Sequence, residues 1–118
     1  YNKAFTKAAD GSKSVVIPAE WFFMYGYAIF NLKINNPENY KEYIEKVKPI
    51  AEKFGGEYIV RGGTNIIIEG NWKHPRTIVI KFPSYEKAIE WYNSDEYKPI
   101  KEIRLDNAET NAIIIQGA

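Results

Sequence analysis

The sequence predicts an α+β fold in which a four-stranded antiparallel sheet carries two helices on one face, and three observations predict it. Segments that read as elements follow one another as strand, helix, strand, strand, helix, strand, the split βαβ order of a ferredoxin-like sandwich. The two helical segments repeat apolar residues at three- and four-residue spacing, while the strand segments are short, β-branched and aromatic. The strands Ile29–Ile34 and Thr77–Phe82 carry apolar residues on both alternating sets of positions. Both sheet faces are therefore expected to be covered, one by helices and the other by a second copy of the chain.

Residues 1–24 read as an N-terminal arm with Asp10-Gly11-Ser12 as turn chemistry, a short extended run at Val15–Ile17, and an apolar cluster at Trp21-Phe22-Phe23. That cluster is too apolar for a monomer to leave in water, so the arm is expected to dock on its own domain or on a neighbouring subunit. Residues 25–118 form the domain. Tyr25–Ile34 reads as its first strand, and Asn36 caps a helix begun by Pro37 and ended by Gly55-Gly56. Glu57–Arg61 is the second strand, with Thr64–Glu69 expected to continue extended towards Gly70. Arg76–Phe82 is the third strand, and Pro83-Ser84 opens the second helix. Ser94, followed by Asp95 and Glu96, reads as a fresh cap at which this helix breaks and restarts. Ala112–Gln116 is the last strand.

Composition excludes several functional classes. The chain has 118 residues, enough for one core and too few for two. With 16 basic against 15 acidic residues and no basic cluster, it lacks the electrostatic footprint of a nucleic-acid binder. No cysteine and a single His74 leave no thiolate nucleophile, zinc–thiolate site or multi-histidine metal site. No apolar run is long enough to span a membrane, and no glycine-rich nucleotide motif occurs. No cofactor or metal is therefore expected. Aromatic residues make up 15% of the chain, more than a core of this size needs, so some are expected to line a pocket or an interface.

The residue types that remain suit acid/base chemistry on a small anion or enolisable molecule. Arg61-Gly62-Gly63 ends a strand with a cation beside backbone able to take positive φ, which suits a carboxylate; a turn with an ion-paired Arg61 is the alternative. Glu69 becomes a general base if its side chain enters an apolar pocket, and is otherwise a surface carboxylate. Trp91, Ser94 and Tyr97 gather aromatic surface and hydroxyls at the helix break, whose free N–H groups could hold an anion. Arg104 lies two helical turns after Tyr97 on the same face and serves the same site. Tyr97 joins Glu69 as a candidate for proton transfer, with Arg61, Gly62, Gly63, Trp91, Ser94 and Arg104 as the binding set. Tyr40 and Tyr43 read as packing, with a hydroxyl reaching the pocket.

The run Asn36-Pro37-Glu38-Asn39-Tyr40, Gly55-Gly56, Val60-Arg61-Gly62-Gly63, Glu69-Gly70, Phe82-Pro83-Ser84, Trp91-Tyr92, Glu96-Tyr97 and Arg104 resembles the bacterial domain-of-unknown-function family 1330 of the dimeric α+β barrel superfamily. The resemblance covers about residues 25–117. It implies two sheets packed face to face in a homodimer, a cytoplasmic setting and, by analogy with monooxygenases, cyclases and isomerases of that superfamily, a pocket between sheet and helices. It supplies no reaction. The chain starts at Tyr1 rather than Met, which leaves export after removal of a leader as the alternative setting. Three functions compete: a cofactor-independent enzyme for a small anionic metabolite, a ligand-binding module using the same pocket without turnover, and an assembly protein whose arm docks on a neighbour.

Overall fold

The computed structural model describes residues 3–7, 14–18 and 24–118. In the arm, strand β1 (Lys3–Lys7) pairs antiparallel with β2 (Ser14–Pro18), which contains the expected Val15–Ile17 run, in a two-stranded sheet. β1 had no sequence signal. The turn at Asp10-Gly11-Ser12 and the cluster Trp21-Phe22-Phe23 lie outside the described residues.

The domain comprises β3 (Gly26–Ile34), α1 (Pro37–Lys53), β4 (Glu57–Arg61), β5 (Arg76–Phe82), α2 (Tyr85–Tyr92), α3 (Lys98–Asn107) and β6 (Ala108–Gln116). Its antiparallel sheet has the order β4-β5-β3-β6, the ferredoxin-like arrangement that the element order predicts. Three helices cover it where two were expected, because the second helical segment is divided at residues 93–97, as the cap at Ser94 anticipates.

Local chemistry fixes each boundary. Asn36 Oδ1 accepts from the Asn39 N–H at 3.2 Å, with Pro37 at the first helical position and Glu38 in the first turn. α1 ends where Gly55 takes φ 83° and its N–H bonds to the Glu52 carbonyl. Ser84 Oγ caps α2 by accepting from Lys87 N–H at 3.0 Å. β6 begins at Ala108, four residues before the expected Ala112, because its polar start pairs with the end of the long β3, with Asn31–Ile34 opposite Asn111–Ala108. Pairing there overrides weak local propensity.

The register decides what faces the helices. Ala28 lies opposite Ile80 and Ile114, Phe30 opposite Ile78 and Ala112, and Leu32 opposite Arg76 and Thr110. Residues directly opposite share a face, so Arg76 and Thr110 join the buried Ala28, Phe30 and Leu32 on the helix side. From the helices, Tyr40, Tyr43, Val47, Ala51, Ala88, Trp91 and Ile100 complete the core. Trp91 is wholly buried, and truncating such a side chain costs about 3–5 kcal/mol.

β4 carries a bulge. Tyr58 lies opposite Ile80, Val60 opposite Val79 and Arg61 opposite Ile78, with Ile59 left over. In a regular strand, residues three apart point to opposite faces; the extra residue brings Tyr58 and Arg61 to the same face, the helix side.

Thr64–Glu69, expected to be extended, forms no strand and belongs to the loop from Gly62 to Pro75. Three consecutive isoleucines are a β signal only where a sheet receives them. β5 is already paired on both sides, by β4 and β3, and Ile66 and Ile68 stand 83% and 84% exposed. The end of the loop is pinned by buried Asn31, whose amide donates to the His74 carbonyl at 2.9 Å and accepts from the His74 N–H at 3.0 Å. Beyond this contact the second sheet face is open, with Ile113 and Ile115 exposed.

Candidate functional site

The helix side of the sheet gathers all three arginines of the sequence, Arg61, Arg76 and Arg104, around four tyrosines. None of the three forms an ion pair among the described residues, where all five ion pairs are made by lysines.

Arg104, in the last turn of α3, is 2% exposed. Its guanidinium lies 5.1 Å from the Phe30 ring centroid and beside the Tyr97 hydroxyl. Burial works against its charge, and attraction to the Tyr97 and Tyr43 oxygens, felt in full only once these ionise at alkaline pH, raises the group above an ordinary arginine; at neutral pH the cost of burial stands. Nε and Nη2 are buried with no hydrogen-bond partner. These two nitrogens form one edge of the guanidinium plane, the edge that a carboxylate engages with two parallel hydrogen bonds. Leaving them unpartnered costs several kcal/mol at a buried cation (about 3–5 when a partner is removed).

Tyr97 reaches this place through the helix break. Ser94 Oγ donates to the Trp91 carbonyl at 2.8 Å and accepts from the Tyr97 N–H at 3.2 Å, which fixes the turn between α2 and α3. The Tyr97 ring then lies 4.4 Å from the Trp91 ring, and its hydroxyl shares a 2.7 Å hydrogen bond with Tyr43. Burial raises both hydroxyls above the ordinary tyrosine range, so both carry their protons at neutral pH and act as donors or acids rather than bases.

Next to this pair, Tyr40, Tyr43, Tyr58, Arg61 and Arg76 wall a small cavity of about 30 Å³, room for one water-sized group. The Tyr40 hydroxyl is buried without a partner, and burial pushes it up to about 12. Burial likewise raises Tyr58, against the pull of Arg61. Arg61 lies exposed at the rim, its guanidinium 4.7 Å from the Tyr58 ring centroid. An exposed cation–π contact is worth only about 0.5–1 kcal/mol, so Arg61 is free to swing aside and open the cavity. Arg76 packs its guanidinium against Gly62, where a Cβ would lie 2.6 Å from Cζ.

The sequence-predicted residues thus separate. Arg61, Arg104, Tyr97 and Trp91 share the helix side. Ser94 does not offer its hydroxyl to a ligand, because both of its hydrogen-bonding roles are taken, and the Ser94 and Tyr97 N–H groups at the break are likewise bonded internally. The Gly62 N–H is not free for an anion either, since it donates to the Thr77 carbonyl at 2.8 Å; with φ 69°, this residue instead makes room for Arg76. Gly63 and Glu69 lie elsewhere, both exposed, in a groove with Val60, Ile66–Ile68, Trp72 and Thr77 on the open-face side. Trp91 is core, flanked by Phe82, Phe30 and Tyr97, although its Nε1–H is a further buried donor without a partner.

Arg76 and Tyr58 were missed. Arg76 was within reach of sequence reasoning, because in Arg76–Phe82 it shares the parity of Ile78, Ile80 and Phe82. Among the described residues, no group of three or more His, Cys, Asp or Glu side chains is placed to hold a metal ion, and no helix is long and apolar enough to cross a membrane.

No curated protein matches the sequence. Among solved structures, a protein of unknown function from Rhodopseudomonas palustris is 16% identical, with a TM-score of 0.63 over 80% of this chain and 83% of that one. Its methylated form is similar at 16% identity and a TM-score of 0.62, covering 81% and 82% of the two chains. At this identity the likeness is one of fold. The family model for the domain of unknown function (DUF1330) matches residues 25–118, from the residue before β3 to the C-terminus, and the chain therefore belongs to the DUF1330 family.

Proposed function

We propose that the domain binds a small organic carboxylate between its sheet and helices and promotes proton transfer on it without a cofactor. The observation that carries this reading is the buried guanidinium of Arg104 with its Nε and Nη2 hydrogens unpartnered. A fold retains a buried cation lacking a counter-charge at a cost, and a bidentate carboxylate supplies both the charge and the acceptors that are missing. The surrounding groups support the same chemistry. Tyr40, Tyr43 and Tyr97 are held protonated by burial and suit stabilising an enolate oxygen or returning a proton to it. Tyr97, hydrogen-bonded to Tyr43, is the acid that donates to the enolate oxygen, and solvent water or hydroxide takes the carbon-bound proton, since no side chain at the site is a free base; Glu69, in the loop on the other side, takes no part.

Calorimetric titration of the protein with acetate and pyruvate tests binding, and deuterium uptake at the pyruvate methyl group followed by NMR tests proton transfer. Saturable binding lost in Arg104→Met, with exchange slowed in Tyr97→Phe, is the expected result. Binding without exchange would leave a ligand-binding module, and no binding would end the proposal.

A second reading concerns assembly. The open sheet face carries Ile113, at 56% exposure, and a groove of about 420 Å³ bounded by Ile66–Ile68 and Trp72, an apolar surface of a kind that monomers rarely keep. It favours a homodimer formed through this face. Sedimentation should give a dimer that Ile68→Asp with Ile113→Asp converts to a folded monomer; a wild-type monomer at micromolar concentration would refute it.

A further inference from the structure

Arg61 and Arg76 raise a separate question. Two guanidinium groups line one small cavity, where like charges repel unless an anion lies between them. No carboxylate pairs with either among the described residues, and Glu52 acts on the neighbouring Tyr58 only at a distance. Gly62 at positive φ leaves the room in which the Arg76 guanidinium lies, and the bulge at Ile59 turns Arg61 to the same face as Tyr58. Two local irregularities of the chain thus serve to bring these cations together.

Tyr40 and Tyr43 belong to the wall of that cavity and also feel the charge of Arg104. The arginine pair and the buried Arg104 are therefore neighbours across one layer of tyrosine rings, whose centroids are 5.0 Å apart. The Tyr40 hydroxyl is buried and unpartnered, and Tyr40 lines the cavity that holds the arginine pair.

We propose that the ligand is a small dianion with two acidic groups, one carboxylate on the Nε and Nη2 edge of Arg104 and the second acidic group between Arg61 and Arg76, with the Tyr40 hydroxyl donating to the linking portion. This rests on the reading of Arg104 as an anion anchor and adds the class of molecule that the site selects. The cavity as it stands admits one water-sized group, so entry requires Arg61 to leave the Tyr58 ring and close again over the second acidic group. Three arginines used without a single acidic partner suit a planar, bidentate anion better than lysines would.

Titration calorimetry with acetate, malonate, succinate and glutarate, with inorganic phosphate as a compact dianion, tests the proposal on the full chain. One of the dicarboxylates should bind at least about tenfold more tightly than acetate, as expected for added charge-assisted hydrogen bonds. Arg61→Ala, which removes an exposed side chain, and Arg76→Lys, which keeps the charge and loses the fork, should each shrink that ratio. Equal affinity for acetate and every dicarboxylate, or a ratio unchanged in both variants, would overturn the dianion while leaving Arg104 as an anchor. Tighter binding of phosphate than of any dicarboxylate would also overturn it, since one compact anion cannot span both anchors. Absence of binding to all five probes would remove the anchor and the dianion together.

Discussion

The hydroxyls of Tyr43 and Tyr97 share a 2.7 Å hydrogen bond across 54 residues of sequence, joining the first turns of α1 to the break between α2 and α3. Both groups are buried, so the bond ties α1 to the α2–α3 break beside Arg104. Tyr43→Phe should lower stability by about 1 kcal/mol, the net worth of one buried hydrogen bond, and should free the Tyr97 hydroxyl. Urea unfolding of the variant against wild type measures the first effect. A loss near zero would mean that water replaces the bond and that the cluster is wetter than its burial implies.

Alkaline pH should reveal the same cluster. Burial raises the Tyr40 hydroxyl from the ordinary 10.0 to about 12 and raises Tyr43, Tyr58 and Tyr97 as well. Because the folded values lie above the unfolded ones, the stability linked to these groups is fully present below pH 10 and is lost as pH rises, through about 12 for Tyr40. Each group removes at most about 1.4 kcal/mol per pH unit in that window. Ultraviolet titration of the native protein should therefore show these four tyrosines ionising at higher pH than ordinary tyrosines, together with unfolding. Their ionisation as ordinary tyrosines would contradict the buried cluster.

Arg104→Met separates a functional cation from a structural one. The contact of the guanidinium with Phe30 contributes about 2 kcal/mol when desolvated, whereas an unpaired buried charge costs several. The variant should melt at or above the wild-type temperature. A melting point lowered by many degrees would show that Arg104 holds the fold together instead of awaiting a ligand.

Gly62 and Gly63 should respond differently to alanine. At φ 69°, Gly62→Ala incurs about 1–3 kcal/mol of backbone strain and sets a Cβ against the Arg76 guanidinium, while Gly63→Ala meets nothing within 4 Å. Thermal melts of the two single variants check this. Equal losses would mean that the loop adapts and that Gly62 does not position Arg76.

The sequence made the sheet order legible because the domain strands are short runs rich in β-branched and aromatic residues and two of the three helices carry their own caps, at Asn36 and Ser84. It made Tyr97 and Arg104 legible as one group because seven residues on a helix return to one face. Two features were hidden. The bulge at Ile59 is a property of the pairing between β4 and β5, and no residue type announces it, so the side that Tyr58 and Arg61 share was not readable. The isoleucines 66–68 show the reverse failure, in which a strong strand signal pairs with no strand of the sheet and lies in an exposed loop. Glu69 follows the same loop into the groove on the open-face side, apart from Arg104 and Tyr97.

The guanidinium NMR spectrum reads the carboxylate site at Arg104 itself, because the sequence has only three arginines and hence three Nε–H signals to assign. On addition of malonate, the Arg104 Nε–H resonance should move downfield and saturate, as a hydrogen bond forms at an edge now without a partner. The signals of Arg61 and Arg76 should follow with the same midpoint. An Arg104 resonance that stays in place while the other two move, or one that shifts linearly without saturating, would contradict a carboxylate site at Arg104.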